Sequence, residues 1–154
     1  MLGDTMSDEN RNERLTPSIE DYLEAIYVLD KKERGVRSID VAEHLHVAKP
    51  SVNRALKSLV ESGMIEQERY SLIYLTDDGR KMAKEIYHRH RTIKEFLMNV
   101  LLLDEQQAED EACKIEHVVS DLTVERLHKV MIACGSSQNE ETLKRIFNHD
   151  QLDD

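Results

Sequence analysis

The stretch Lys49-Pro50-Ser51-Val52-Asn53-Arg54-Ala55-Leu56-Lys57-Ser58 decides the fold of this chain. Pro50 sets φ in the first turn of a helix, and Gly63 ends it. At about 3.6 residues per turn, Val52, Ala55, Leu56, Leu59 and Val60 collect on an inner arc. The outer arc carries Ser51, Asn53, Arg54, Lys57 and Ser58, which are amide, hydroxyl and cationic side chains with no acid among residues 49 to 58. Such a face suits the grooves of a nucleic-acid duplex.

The flanking segments extend this reading. Thr16-Pro17-Ser18 opens a first helix with Ser18 as its cap, an apolar stripe of Ile19, Tyr22, Leu23, Ile26 and Leu29, and an expected end near Lys32 before Gly35. Ser38 caps a second helix, which carries Ile39, Val41, Ala42 and Leu45 and runs to about His46. After the third helix, Met64 to Arg69 and Leu72 to Thr76 form a strand pair joined at Tyr70-Ser71, a hairpin without the Asn-Gly signature. Helix, short turn, helix and strand pair, in that order, predict a winged helix-turn-helix. Its expected DNA contacts are Lys49, Ser51, Asn53, Arg54 and Lys57, with Arg69 from the wing.

Thr76-Asp77-Asp78-Gly79 then starts a long fourth helix with acids in its first turn, where they complement the helix dipole. Met82, Ile86, His90, Ile93 and Leu97 lie along one stripe, which puts His90 on an apolar edge, where a satisfied core histidine is the commoner outcome. His44, His46, His88 and His128 read as surface residues. A fifth helix begins at Asp104, a sixth runs from about Leu122 to Cys134 before Gly135, and a last acidic amphipathic piece follows. The expected fold is mainly α: a disordered tail over residues 1–15, a winged helix-turn-helix DNA-binding domain over 16–78, and a helical domain over 79–154.

In the fifth helix, Cys113-Lys114-Ile115-Glu116-His117 places a thiol, a carboxylate and an imidazole three and four residues apart. On a helix these share a face, with Ala112, Ile115, Val118, Val119 and Leu122 opposite, so one side packs while the other offers ligands to a borderline divalent metal. Asp21 and Glu24 form a second carboxylate pair, one turn apart and off the apolar stripe of the first helix.

Composition limits the alternatives. The chain has 154 residues and is 40% hydrophobic, enough for one domain or two small ones. No apolar run approaches the roughly 18 residues of a membrane span, and no signal peptide is present. Two cysteines in such a chain imply reduced thiols and a cytoplasmic setting. The net charge of −10 argues against nucleic acid only if it is spread evenly. Much of the acid sits in the N-terminal tail, in Asp104 to Glu111 and at the C-terminal end, which leaves room for a local basic face.

Three runs together resemble a known family. They are Thr16-Pro-Ser-Ile-Glu-Asp-Tyr-Leu-Glu-Ala-Ile-Tyr27, the wing ending Leu75-Thr76-Asp77-Asp78-Gly79, and Asp110-Glu-Ala-Cys-Lys-Ile-Glu-His-Val-Val-Ser-Asp121. With the DNA-reading helix, they are similar to the diphtheria-toxin-repressor family of metal-dependent regulators over about residues 16 to 134. The resemblance implies a homodimer that binds double-stranded operator DNA when loaded with metal, and the helical domain becomes its metal-binding and dimerisation domain. It also implies metal ligands at Asp21, Glu24, His90, Cys113, Glu116 and His117. Asp21 and Glu24 look like the manganese transport regulators, whereas Cys113 resembles the iron-responsive branch. The chain stops before the SH3-like domain of that branch, so its expected architecture follows the manganese branch.

The expected activators are Mn²⁺ or Fe²⁺, with Zn²⁺ or Co²⁺ also binding in vitro, because a thiolate favours the softer ions and carboxylate with imidazole suits manganese. An ion bonded to both ligand sets would join the DNA-binding and dimerisation domains and orient the recognition helices. A winged-helix regulator sensing an organic ligand would share the fold without needing all six ligands. A metallohydrolase would need a poised general base, and no further acid/base motif serves one. The expected function is therefore a non-enzymatic repressor of metal homeostasis.

Overall fold

The computed structural model describes residues 15–31, 33–67, 72–135, 141–145 and 147, and it divides into two compact units, Met1–Arg80 and Lys81–Asp154. The expected tail over residues 1–15 lies almost wholly outside the described residues, as do Arg69 and the Tyr70-Ser71 turn. No described helix is long and apolar enough to cross a membrane.

The first unit holds α1 (Pro17–Leu29), α2 (Ser38–His44), α3 (Lys49–Glu61), β1 (Ile65–Gln67) and β2 (Ile73–Leu75). Leu23 and Ile26 of α1, Val41 of α2, Val52 and Leu59 of α3, Ile65 of β1 and Ile73 of β2 are buried together. Each comes from the apolar side of its element, so burial of these side chains drives the three helices and the hairpin onto one core. The strands pair antiparallel with Ile65 opposite Leu75 and Gln67 opposite Ile73. Val36 adds a bridge that the sequence pattern does not predict, exchanging backbone hydrogen bonds with Ile73 at 2.9 and 2.8 Å.

Helix ends differ from expectation for local reasons. Thr16, not Ser18, is the first N-cap, because Pro17 takes the opening position and the residue before a proline is extended (φ −67°, ψ 152°). Arg37 rather than Ser38 precedes α2, and α2 stops at His44 because His46 turns left-handed at φ 53°. α1 ends at Leu29, short of Lys32. There the Asp30 carboxylate accepts from the Gly35 backbone N–H at 3.0 Å and from Arg80 Nη2 at 2.8 Å. Val60, expected on the inner arc of α3, is 44% exposed.

α4 (Asp77–Asn99) starts in the first unit and continues into the second. The joint between wing and α4 is tight. Thr76 Oγ1 donates to the Gly63 carbonyl at 2.7 Å and accepts from the Gly79 N–H at 3.0 Å, which caps α4 and ties it to the end of α3. Gly79 is obligatory here: a Cβ on it would stand 1.8 Å from the Met64 carbonyl oxygen.

In the second unit, Ile93 and Leu97 of α4 pack with Ala108 and Ala112 of α5 (Glu105–Ile115) and Val124 of α6 (Asp121–Cys134). Asp104 caps α5 through Gln107 N–H at 2.9 Å, and Ser120 caps α6 through Thr123 N–H at 3.2 Å. α5 ends at Ile115 and the chain turns through residues 116–119, so the expected five-residue stripe splits. Ala112, Ile115 and Val119 face the core, whereas Val118 is 81% exposed and Leu122 54% exposed, because helical spacing no longer governs the turn.

The two glycines of this region respond differently to a methyl group. Gly79→Ala should cost about 3 kcal/mol or more, since backbone lies in the way. Gly63→Ala meets open space and pays only for its left-handed φ of 73°, about 1–2 kcal/mol. Urea denaturation of both variants checks this; equal losses would contradict the close approach at Gly79.

Candidate metal centre

The candidate centre of the second unit is assembled from three local structures. α4 contributes His90, α5 contributes Glu109 and Cys113, and the turn after α5 contributes Glu116 and His117. The Cys-Glu-His cluster therefore does not lie along one helix face: Cys113 is helical, Glu116 is the C-cap and His117 is in the turn. This turn directs Glu116 inward, where its side chain is 1% exposed, while Cys113 remains exposed. Arg89 of α4 fastens the turn, donating to the Glu116 backbone carbonyl at 3.4 Å and to Asp121 Oδ1 at 3.0 Å.

A buried carboxylate is costly unless its oxygens find partners. Glu116 Oε2 lies 2.6 Å from His90 Nδ1, and its Oε1 lies 3.2 Å from His117 Nε2. The second nitrogen of His90, Nε2, lies 3.2 Å from Glu109 Oε1, so this imidazole stands between two carboxylates. Cys113 Sγ is 4.0 Å from His90 Nδ1. One donor atom each of His90, Glu109 and Cys113 lies within 4.8 Å of the others. Two imidazoles, two carboxylates and a thiol in one place form a donor set that fits a divalent transition metal, with oxygen and imidazole for manganese and sulfur for softer ions.

Of the six ligands expected from the sequence, His90, Cys113, Glu116 and His117 meet in the second unit. Asp21 and Glu24 stand one turn apart and half-buried on α1 of the first. Glu109 is the residue that sequence reasoning passes over, because it falls in the acidic run from Asp104 to Glu111 that reads as solvated charge. Its spacing of four from Cys113 and seven from Glu116 is the signal that picks it out. Burial opposes ionisation of Glu109, but the Lys94 hydrogen bond and the charges of His90 and Lys94 outweigh it and hold the carboxyl below its ordinary range. The same hydrogen bond, against burial, holds the Lys94 ammonium above its own.

In the first unit, Lys49, Asn53, Arg54 and Lys57 are exposed on α3 and Ser51 is half-buried, so the expected DNA-facing arc is open to solvent. Lys57 makes a long exposed pair with Glu61 at 3.8 Å, an interaction of little energy that leaves the ammonium available for phosphate.

Substitutions in the second unit test the donor set. Glu116→Gln should weaken Mn²⁺ binding by about 100-fold or more, at or beyond the upper end of the losses seen for residues that only support a ligand. Cys113→Ser should remove the thiolate-to-metal charge-transfer absorption of the Co²⁺ form. If that band persists, Cys113 is not a ligand.

Comparison with known proteins places this geometry. Residues 14–73 match the model described as the iron dependent repressor N-terminal DNA binding domain, and residues 76–134 match that of the iron dependent repressor metal binding and dimerisation domain. An HTH-type transcriptional regulator of Methanocaldococcus jannaschii is 42% identical over 114 residues, covering 73% of this chain and 91% of that protein. The HTH-type transcriptional regulator MntR of Bacillus pumilus is 34% identical over 112 residues, covering 73% of this chain and 77% of that protein. The structure of the manganese regulator SloR superposes with a TM-score of 0.67 at 35% identity, covering 76% of this chain and 54% of that one. The chain thus spans about half the length of that solved relative. The chain belongs to the iron-dependent repressor family, that is, the diphtheria-toxin-repressor family of metal-dependent regulators, and within it to the MntR-like branch.

Proposed function

We propose that this chain is a homodimeric, metal-dependent repressor that binds double-stranded operator DNA and controls metal-ion homeostasis in response to Fe²⁺ or Mn²⁺. The observation that carries the reading is the buried Glu116 carboxylate held between His90 and His117, with Cys113 beside it, within the segment that matches a metal binding and dimerisation domain. A purely structural turn has no need of a carboxylate whose two oxygens both meet imidazoles. As a transcriptional regulator the chain acts by occupying DNA, not by catalysis.

Its own residues divide the labour. Glu116, His117, His90 and Cys113 offer donors from the dimerisation unit, and Asp21 and Glu24 offer carboxylates from the first helix of the DNA-binding unit. A divalent ion held by these donors would supply a positive centre that neutralises their carboxylates and thiolate. Lys49, Arg54 and Lys57 neutralise phosphates, with Arg54 also able to reach a guanine, while Ser51 and Asn53 near the start of α3 meet base edges. Arg69 is a further proposed DNA contact. In a two-fold dimer the recognition helices must stand about 34 Å apart, or a multiple of it, to enter successive major grooves. Whatever fixes that spacing raises affinity, and by linkage DNA raises metal affinity by the same factor.

Metal and DNA should therefore assist each other by about 5- to 150-fold. Fluorescence anisotropy on a duplex selected from a random pool in the presence of Mn²⁺ measures it, at fixed salt, with and without chelator. Equal affinity in both conditions would refute the reading.

The recognition helix has its own signature. Lys57→Ala should weaken binding to all sequences and lower the slope of log affinity against log salt by about one, whereas Asn53→Ala or Arg54→Ala should cost about 1–3 kcal/mol and relax specificity. Unchanged affinity and slope in all three variants would remove α3 from the groove.

A further inference from the structure

We propose that Glu109 is a positioning residue for His90: it accepts from the Nε2–H of that imidazole and so leaves Nδ1 as the nitrogen that meets a divalent ion. The inference rests on the metal-dependent reading above and adds to it which nitrogen binds and what sets it. A neutral imidazole carries one N–H and one lone pair, so the nitrogen that donates is not the one that ligates. The partner of the donating nitrogen therefore fixes both the tautomer and the aim of the ring.

His90 is 7% exposed, and its two nitrogens face different surroundings. Nδ1 looks onto Glu116 Oε2 at 2.6 Å and Cys113 Sγ at 4.0 Å, and Glu116 Oε1 continues to His117 Nε2 at 3.2 Å. A carboxylate, a thiol and a second imidazole thus gather on the Nδ1 side. Nε2 instead meets Glu109 Oε1 at 3.2 Å. The other oxygen of Glu109, Oε2, accepts from the Lys94 ammonium at 2.8 Å, and Lys94 also reaches Glu105 Oε1 at 3.2 Å. Lys94 follows His90 by one turn on α4, so the same helix that carries the ring anchors the carboxylate that orients it. One donor atom each of His90, Glu109 and Cys113 also lies within 4.8 Å of the others, which offers Nε2 as the rival ligand atom. The Lys94 ammonium opposes that arrangement, because an ion bonded to Glu109 would face a like charge at short range in a partly buried site.

Long-range proton–nitrogen correlation spectra of the full-length protein, with ¹⁵N in its histidines and Zn²⁺ bound, test the tautomer. His90 should show Nδ1 bonded to the metal and Nε2 protonated, with that proton protected from exchange with water. Mn²⁺ titration tests the role of Glu109. Glu109→Ala should lower affinity by about 10- to 100-fold, the loss expected when the partner of a ligating histidine is removed. Glu105→Ala takes an equal charge from the other partner of Lys94 and should stay near wild type. Zn²⁺ on Nε2 of His90, wild-type affinity in a folded Glu109→Ala variant, or equal losses in both variants overturns the role of Glu109 and leaves the metal-dependent reading intact. Histidine signals unmoved by Zn²⁺, with no Mn²⁺ bound, overturn that reading and this inference with it. The wild-type spectrum decides even if Glu109→Ala fails to fold.

Discussion

The structure of the second unit depends on one constraint: the Glu116 carboxylate is buried and must be compensated. Leaving it without partners would cost several kcal/mol, so the elements around it are arranged to bring imidazoles to both of its oxygens. α5 ends at Ile115 and Glu116 itself closes it, donating its backbone N–H to the Ala112 carbonyl at 3.0 Å. Ala108 and Ala112 present no bulk to α4, so His90 reaches across to Glu116. The Ser120 cap starts α6 immediately after the turn, and Arg89 pins the turn to α4. Removing any of these would loosen the arrangement of imidazoles around the Glu116 carboxylate.

A similar logic holds the first unit together, with a guanidinium and a backbone N–H in place of imidazoles. Asp30 is a nearly inaccessible carboxylate whose side chain is 1% exposed, and it is satisfied by Arg80 and by the Gly35 N–H. Thr76 joins the end of α3, the wing and the start of α4 through its one hydroxyl, which donates to the Gly63 carbonyl and accepts from the Gly79 N–H. These contacts hold α3, the proposed DNA-reading element, against the helix that leads towards the metal-binding unit.

Charge is distributed with the same economy. The net charge of −10 is compatible with a DNA-binding function because residues 49 to 58 carry no acid. In the second unit, acids that would otherwise repel one another are paired: Lys94 lies between Glu105 and Glu109, and Arg89 reaches Asp121. The acidic remainder disfavours indiscriminate adhesion to phosphate backbones.

The sequence by itself determined the element order and named four of the residues that meet at the candidate centre: His90, Cys113, Glu116 and His117. Pro17, Pro50, Gly63, Asp104 and Gly135 punctuate the helices, and punctuation of this kind acts through local sterics and hydrogen bonds that need no tertiary partner. The arc of α3 was legible because helical periodicity alone separates Val52, Ala55 and Leu59 from Asn53, Arg54 and Lys57. Tertiary structure decided where periodicity stops. Nothing local announces that α5 ends at Ile115, since Glu116, His117 and Val118 would extend a helix well enough. The end comes from packing of α5 on α4 and from the inward turn that satisfies Glu116, which sends Val118 and Leu122 outward. Glu109 was hidden for the same reason: an acid within an acidic run is a solvated charge until another helix brings His90 and Lys94 to its two oxygens.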